Sequence, residues 1–173
     1  MAQISTDSLS TSPPTQSTAR NIAGFGCFLA TCIAAMIAGA VVTTPNVTTW
    51  YKELAQPPWT PPPWLFGPVW TVLYVMMAVS AWLVWKCGDA STSRRPLVLF
   101  GIQLVLNVAW SWLFFGMKSP GIALIEILVL LGAIALTMIS FGKISRLAGL
   151  LLMPYIMWVM FATSLNAGFW WLN

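Results

Sequence analysis

Residues 121–141 read GIALIEILVLLGAIALTMISF, an unbroken apolar run whose one charged side chain is Glu126. A helix needs about 20 such residues to cross the hydrocarbon of a bilayer. Lipid cannot hydrogen-bond a peptide group, so a spanning segment is either a helix or a strand of a closed barrel. A barrel strand would be about half as long and would alternate apolar with polar residues. This run does neither, so it is expected to be a transmembrane helix.

Four more runs of similar length and character lie outward from it, at residues 22–42, 64–85, 97–117 and 147–170, none with a charge. Chain breakers separate the five: Pro45, the proline cluster between Pro57 and Pro63, Pro96, Pro120 and the polar stretch 142–146. The expected fold class is an all-α membrane protein, a five-transmembrane-helix bundle. Short connections after the second helix make sequential helices antiparallel neighbours. Residues 1–20, rich in Ser, Thr and Pro, have too little apolar surface to build a core and are expected to be a disordered tail, leaving 21–173 as the membrane domain.

Composition agrees. Hydrophobic residues make up 58% of the 173 and charged residues 7%, with mean hydropathy +0.80. A soluble domain carries about 25% charged residues, so an ordinary soluble enzyme, a nucleic-acid binder and a disordered chain are all excluded. The net charge of +4 is scattered and forms no run that could track phosphates. It reads instead as topology. Arg20, Lys86, Arg94, Arg95, Lys143 and Arg146 fall on one side, Lys52 and Lys118 on the other, which predicts a cytoplasmic N-terminus and an outer C-terminus. The rule describes insertion from the cytoplasm of a bacterium.

The chain has no histidine, hence neither the commonest metal ligand nor the commonest general base. Cys27 and Cys32 are five apart in an apolar run, which is neither a zinc nor a redox spacing. There is no phosphate-binding glycine loop and no nucleophile elbow. No metal and no cofactor are expected.

What remains is aromatic. Belts at the membrane interfaces account for some of the eleven tryptophans, but not for Trp70, Trp110 or Trp158, which fall inside apolar runs. The first loop, roughly residues 43–63, is long and rich in prolines and aromatics. Proline restricts the free chain and aromatic rings favour cover, so the loop is expected to be an ordered lid over one end of the bundle; the alternative is a loop lying on lipid headgroups. Asn107 sits mid-helix, three residues from Trp110 and on the same face. An amide beside an indole suits a flat ligand with a polar edge, and equally a hydrogen bond between helices. Trp158, Ala162 and Leu165 form one stripe, with a recess at the alanine, and Pro154 is expected to kink that helix in its first third. Glu126 is costly in lipid, so it is either functional or hydrogen-bonded to a neighbouring helix. The pairs Ala35/Gly39 and Ser164/Gly168 allow close helix approach, including in a dimer.

One pattern is more specific than any of these. Trp50-Tyr51, Leu54, Pro57, Trp59-Thr60-Pro61-Pro62, Trp64, Gly67-Pro68-Val69-Trp70-Thr71 and Leu73-Tyr74 form a long motif. It closely resembles that of the tryptophan-rich sensory protein / translocator protein family (TspO/MBR), the peripheral-type benzodiazepine receptors. Gln103 with Asn107, Phe114-Phe115-Gly116, Pro154-Tyr155 with Trp158, and Leu165-Asn166 extend the likeness over about residues 22–170.

The resemblance implies a five-helix bundle, often dimeric, with a pocket closed by the first loop. It implies binding of porphyrins such as protoporphyrin IX, of sterols and of benzodiazepine-type compounds, by a membrane receptor or sensor. The alternatives are an enzyme that degrades porphyrin with light and oxygen, and a small-molecule transporter. Carried over by motif, the ligand-binding residues are Trp50, Tyr51, Trp59, Pro61, Trp70, Asn107, Trp110, Trp158, Ala162 and Leu165, with Trp70 and Trp158 catalytic if porphyrin is degraded. The partners implied are a tetrapyrrole or sterol-like ligand, the lipid bilayer and a second copy of the chain. Animal members end the last helix with a Tyr and an Arg read as a cholesterol motif; here 165–170 read LNAGFW, which has neither.

Overall fold

The computed structural model describes residues 18–173, and all the regular structure in it is helical. Helix α1 spans Thr18–Val47, α2 is the short Trp50–Glu53, and a 3-10 turn at Pro63–Leu65 leads into α3, Phe66–Cys87. Helix α4, Ala90–Ser111, runs into a π-helical turn at Trp112–Gly116. Then come α5, Pro120–Ile144, α6, Arg146–Leu151, and α7, Met153–Leu172. Five spans are long and apolar enough to cross a membrane, the last being α6 and α7 together. The chain is an integral, multi-pass membrane protein. The tail expected over residues 1–20 lies outside the described residues except for positions 18–20, which already belong to α1.

Burial follows from lipid as the solvent. Along α5, Ala123, Ile127, Leu130, Ile134, Thr137 and Phe141 face inward, while Ile122, Ile125, Val129, Leu136 and Ile139 are exposed on the opposite face. Both faces are apolar, so packing rather than polarity separates them. Helix α1 packs on α3 and α4, α4 on α5, α5 on α7, and α6 and α7 return to α3, which closes a ring. Small residues set the closest approaches. A Cβ at Gly149 would lie 3.0 Å from Gly142 Cα and 3.2 Å from Met138 O, so α6 rests directly on the α5 backbone.

Two prolines expected to break helices lie within them. Pro96 stands buried in the second turn of α4, and the carbonyl its missing N–H leaves without an i−4 partner belongs to the exposed Thr92. Pro45 stands in the last turn of α1, whose final carbonyls find side-chain donors. Asn46 Nδ2 donates to Val42 O at 2.8 Å, and Thr49 Oγ1 donates to Pro45 O at 2.9 Å. The break before Pro154 does form. Leu152 (φ −86°, ψ −8°) turns its N–H to Gly149 O at 3.2 Å, and α7 starts one residue before the proline.

Candidate functional site

The ring of helices leaves a cavity of about 530 Å3 at the loop end, walled by α1, α3, α4 and α7. Three features shape it. The π turn, closed by Met117 N–H to Trp112 O at 2.7 Å, widens α4 so that the adjacent Phe114 and Phe115 are both buried. The exit from that turn puts Lys118 at φ 52°, a left-handed residue before α5. The break at Leu152 lets α7 lean independently of α6.

The first loop is the roof. Tyr51 is 3% exposed and packs on Phe169 (ring centroids 5.0 Å), Phe115 (5.9 Å) and Phe66 (6.5 Å). Burial pushes its phenol up to about 12, so it stays neutral at physiological pH. Further along, Ala55 N–H donates to Asn173 Oδ1 at 3.0 Å, and Asn173 Nδ2 donates to Ala55 O at 3.1 Å. The loop is thus clipped to the end of α7. Pro57 is buried on Gly168, where any Cβ would strike its ring. The ordered lid expected from prolines and aromatics is present, with this sequence of contacts as its cause.

The wall is aromatic with a buried polar floor. Tyr74 Oη donates to Asn107 Oδ1 at 2.6 Å, Asn107 Nδ2 to Tyr155 Oη at 3.1 Å, and Tyr155 Oη to Gln103 Oε1 at 2.8 Å. Trp110 Nε1 donates to Asn166 Oδ1 at 3.0 Å, whose Nδ2 donates to Pro120 O at 2.7 Å. Asn107 and Asn166 therefore each tie helices together and also line the cavity, whereas Gln103 lies outside its lining. An amide nitrogen carries two hydrogens, so one on each asparagine is left beyond these bonds. No residue lining the cavity is charged.

Of the ten residues singled out by sequence, Tyr51, Trp70, Asn107, Trp110, Trp158, Ala162 and Leu165 line this cavity. Trp70 packs on Tyr74 and Tyr155 (5.7 and 6.2 Å), Trp158 on Phe66 and Phe161 (6.0 and 5.5 Å). Three lie outside it. Trp50 packs behind the wall on Phe114 (5.8 Å) and Phe115 (6.5 Å), with Lys118 Nζ 6.0 Å over its ring. Trp59 is 51% exposed beside Gly168, and Pro61 is half-buried in the roof. Tyr74, Phe66 and Phe169 join the lining without having been singled out as binding residues. Spacing could have found two of them: Tyr74 is one turn from Trp70, and Phe169 continues the 158–162–165 stripe.

Glu126 is not hydrogen-bonded. Both carboxyl oxygens are buried with no partner among the described residues, and the residue is not in the cavity lining. Cys27, Cys32 and Cys87 are all unpaired thiols.

The TspO/MBR family matches residues 28–172. A tryptophan-rich protein TspO of Chlorobaculum tepidum is 44% identical over 139 residues, covering 78% of this chain and 86% of its own length. The translocator protein of Homo sapiens is 43% identical over 123 residues, 70% of this chain and 73% of its own. A tryptophan-rich sensory protein of Cereibacter sphaeroides is 37% identical over 139 residues, 80% and 84%. The match runs from within α1 to the last residue of α7, taking in the roof and every wall of the cavity, and the chain belongs to the TspO/MBR family.

Proposed function

We propose that this protein is a membrane receptor or sensor for tetrapyrroles and similar flat apolar ligands, bound in the cavity under the first loop. One observation carries the reading: an uncharged, indole-lined hollow of about 530 Å3 with amide groups at its floor. Ligand sites are typically concave and apolar, with a few placed polar groups, in a range of about 300–1,000 Å3. Trp70, Trp110 and Trp158 line the hollow, and an indole that stacks on a conjugated disc contributes about 0.5–1.5 kcal/mol beyond burial. The amides can meet a ring nitrogen or carbonyl. Charged substituents, such as the carboxylates of protoporphyrin, have no cation in the wall and belong at the rim.

The test is titration of the reconstituted protein with protoporphyrin IX, followed by tryptophan fluorescence. Saturable quenching is expected, weakened in Trp70→Phe and Trp158→Phe. Linear, non-saturating quenching equal to that of free tryptophan would refute the reading.

A second reading rests on both Trp70 and Trp158 facing one hollow. A photoexcited ring between two oxidisable indoles is placed for oxygen-dependent breakdown. Under illumination in air, product should form faster with this protein than with the Trp70→Phe, Trp158→Phe variant. Equal rates would leave only the receptor.

A further inference from the structure

The roof of the cavity is shut and one of its sides is not. Tyr51 and the Ala55–Asn173 clip close the loop end. At the opposite end of the bundle α1 and α3 are tightly joined: Trp82 Nε1 donates to Asn21 O at 3.1 Å, Phe25 packs on Trp82 at 5.7 Å, and Gly24 lies against Trp85. Toward the loop α1 turns its attention to α4 instead. Trp112 Nε1 donates to Ala38 O at 3.1 Å, and a Cβ at Gly39 would lie 3.1 Å from Ser111 Oγ. Drawn to α4 there, α1 leaves its seam with α3 uncovered. Eight residues both line the cavity and are exposed on the outer surface: Thr48 and Pro63 stand at the loop end of the seam, and Ile37, Ala40 and Thr44 on α1 lie opposite Trp64, Gly67 and Thr71.

Their spacing, three and four apart on each side, makes them the facing edges of two helices. Ile37 is ten residues from the end of α1 at Val47, about 15 Å at 1.5 Å per residue. Because α1, with 30 residues and a length of about 45 Å, overreaches a core about 30 Å thick, the gap runs from the loop-side edge of the hydrocarbon near Thr44 inward to Ile37. Its edge suits lipid contact: Thr71 Oγ1 is already committed to Gly67 O at 2.9 Å, and a Cβ at Gly67 would meet nothing within 4 Å.

We propose that ligand reaches this cavity sideways from the bilayer, through a portal between α1 and α3, and not from water through the roof. The inference takes from the receptor reading only that the ligand is apolar enough to dissolve in lipid.

The test needs no ligand. Protein with Cys27, Cys32 and Cys87 replaced and Ala162→Cys added would be reconstituted in vesicles with the loop side outward. It would be reacted with a bilayer-dissolved pyrene maleimide or with a membrane-impermeant sulfonated maleimide. The pyrene reagent is expected to label the cavity thiol and the sulfonated one not to. Ala40→Trp, and independently Gly67→Phe, should slow pyrene labelling at least tenfold, whereas Asn173→Ala, which unclips the roof, should not change it. Labelling by the sulfonated reagent at a comparable rate, or unchanged pyrene labelling in both plugged variants, would overturn the portal. The two plugs stand on different helices, so misfolding of one leaves the other to decide. Protoporphyrin binding is measured separately, so the receptor reading and the portal fail on different results.

Discussion

The hydroxyl of Tyr74 on α3 donates to Asn107 Oδ1 on α4 at 2.6 Å, and through Asn107 Nδ2 the bond continues to Tyr155 on α7. Three helices thus meet at one amide. All three side chains are buried, at 5%, 5% and 0% exposure. A buried polar group left without its partner costs about 1–3 kcal/mol. Asn107→Leu strands the Tyr74 donor and takes away a donor to Tyr155, and is expected to destabilise the bundle by about 2–4 kcal/mol. Tyr74→Phe, which removes one bond, is expected to cost about 1–2 kcal/mol. Thermal unfolding in detergent is the measurement, and equal melting temperatures for both variants and wild type would contradict the network.

Trp70 and Trp158 share the cavity and stand apart in their neighbours. Losing one indole face for a phenyl is expected to remove about 1 kcal/mol of binding, about a fivefold weaker Kd for protoporphyrin IX. Because the two do not pack on each other in any ring pair seen here, the double variant is expected to be near the product of the singles. A fluorescence titration monitored on the porphyrin side avoids the loss of indole signal.

Glu126 holds both carboxyl oxygens away from solvent and from any donor among the described residues. Removing such a group is expected to relieve a desolvation cost, so Glu126→Leu should raise stability by about 1–3 kcal/mol and Glu126→Gln should leave it near wild type. If Glu126→Leu melts markedly lower instead, the carboxyl makes a bond in the membrane that the isolated chain lacks.

Gly149 and Gly142 sit at one contact and answer differently to alanine. At Gly149 the added methyl meets backbone, 3.0 Å from Gly142 Cα, and backbone cannot swing aside. Gly149→Ala is expected to push α6 from α5 and cost about 1–3 kcal/mol. At Gly142 a Cβ meets nothing within 4 Å, so Gly142→Ala is expected to be neutral or stabilising by up to about 1 kcal/mol through helix propensity. Unfolding of the two variants side by side separates packing from propensity.

The five spans were legible in the sequence because crossing lipid constrains each segment on its own. Length and continuous apolarity decide the matter locally, with no need of a partner. The lid was legible for a similar reason, since its prolines and aromatics state their own preferences. Helix ends were less so: Pro45 and Pro96 read as breaks but lie inside α1 and α4, each within two turns of an end, where losing one hydrogen bond interrupts little of the helix.

The tertiary structure alone decided which aromatic rings face inward. Trp50 and Trp59 belong to the same dense motif as Tyr51, yet Trp50 packs behind the wall and Trp59 lies half in the open. In a chain whose outer face is as apolar as its core, hydropathy does not distinguish lipid-facing from cavity-facing positions. That distinction comes from how the rods lean: α1 toward α4 through Ala38, and α7 free of α6 at Leu152. Composition along the chain places the helices across the membrane. The hollow, and the open seam beside it, exist only where their packing is incomplete.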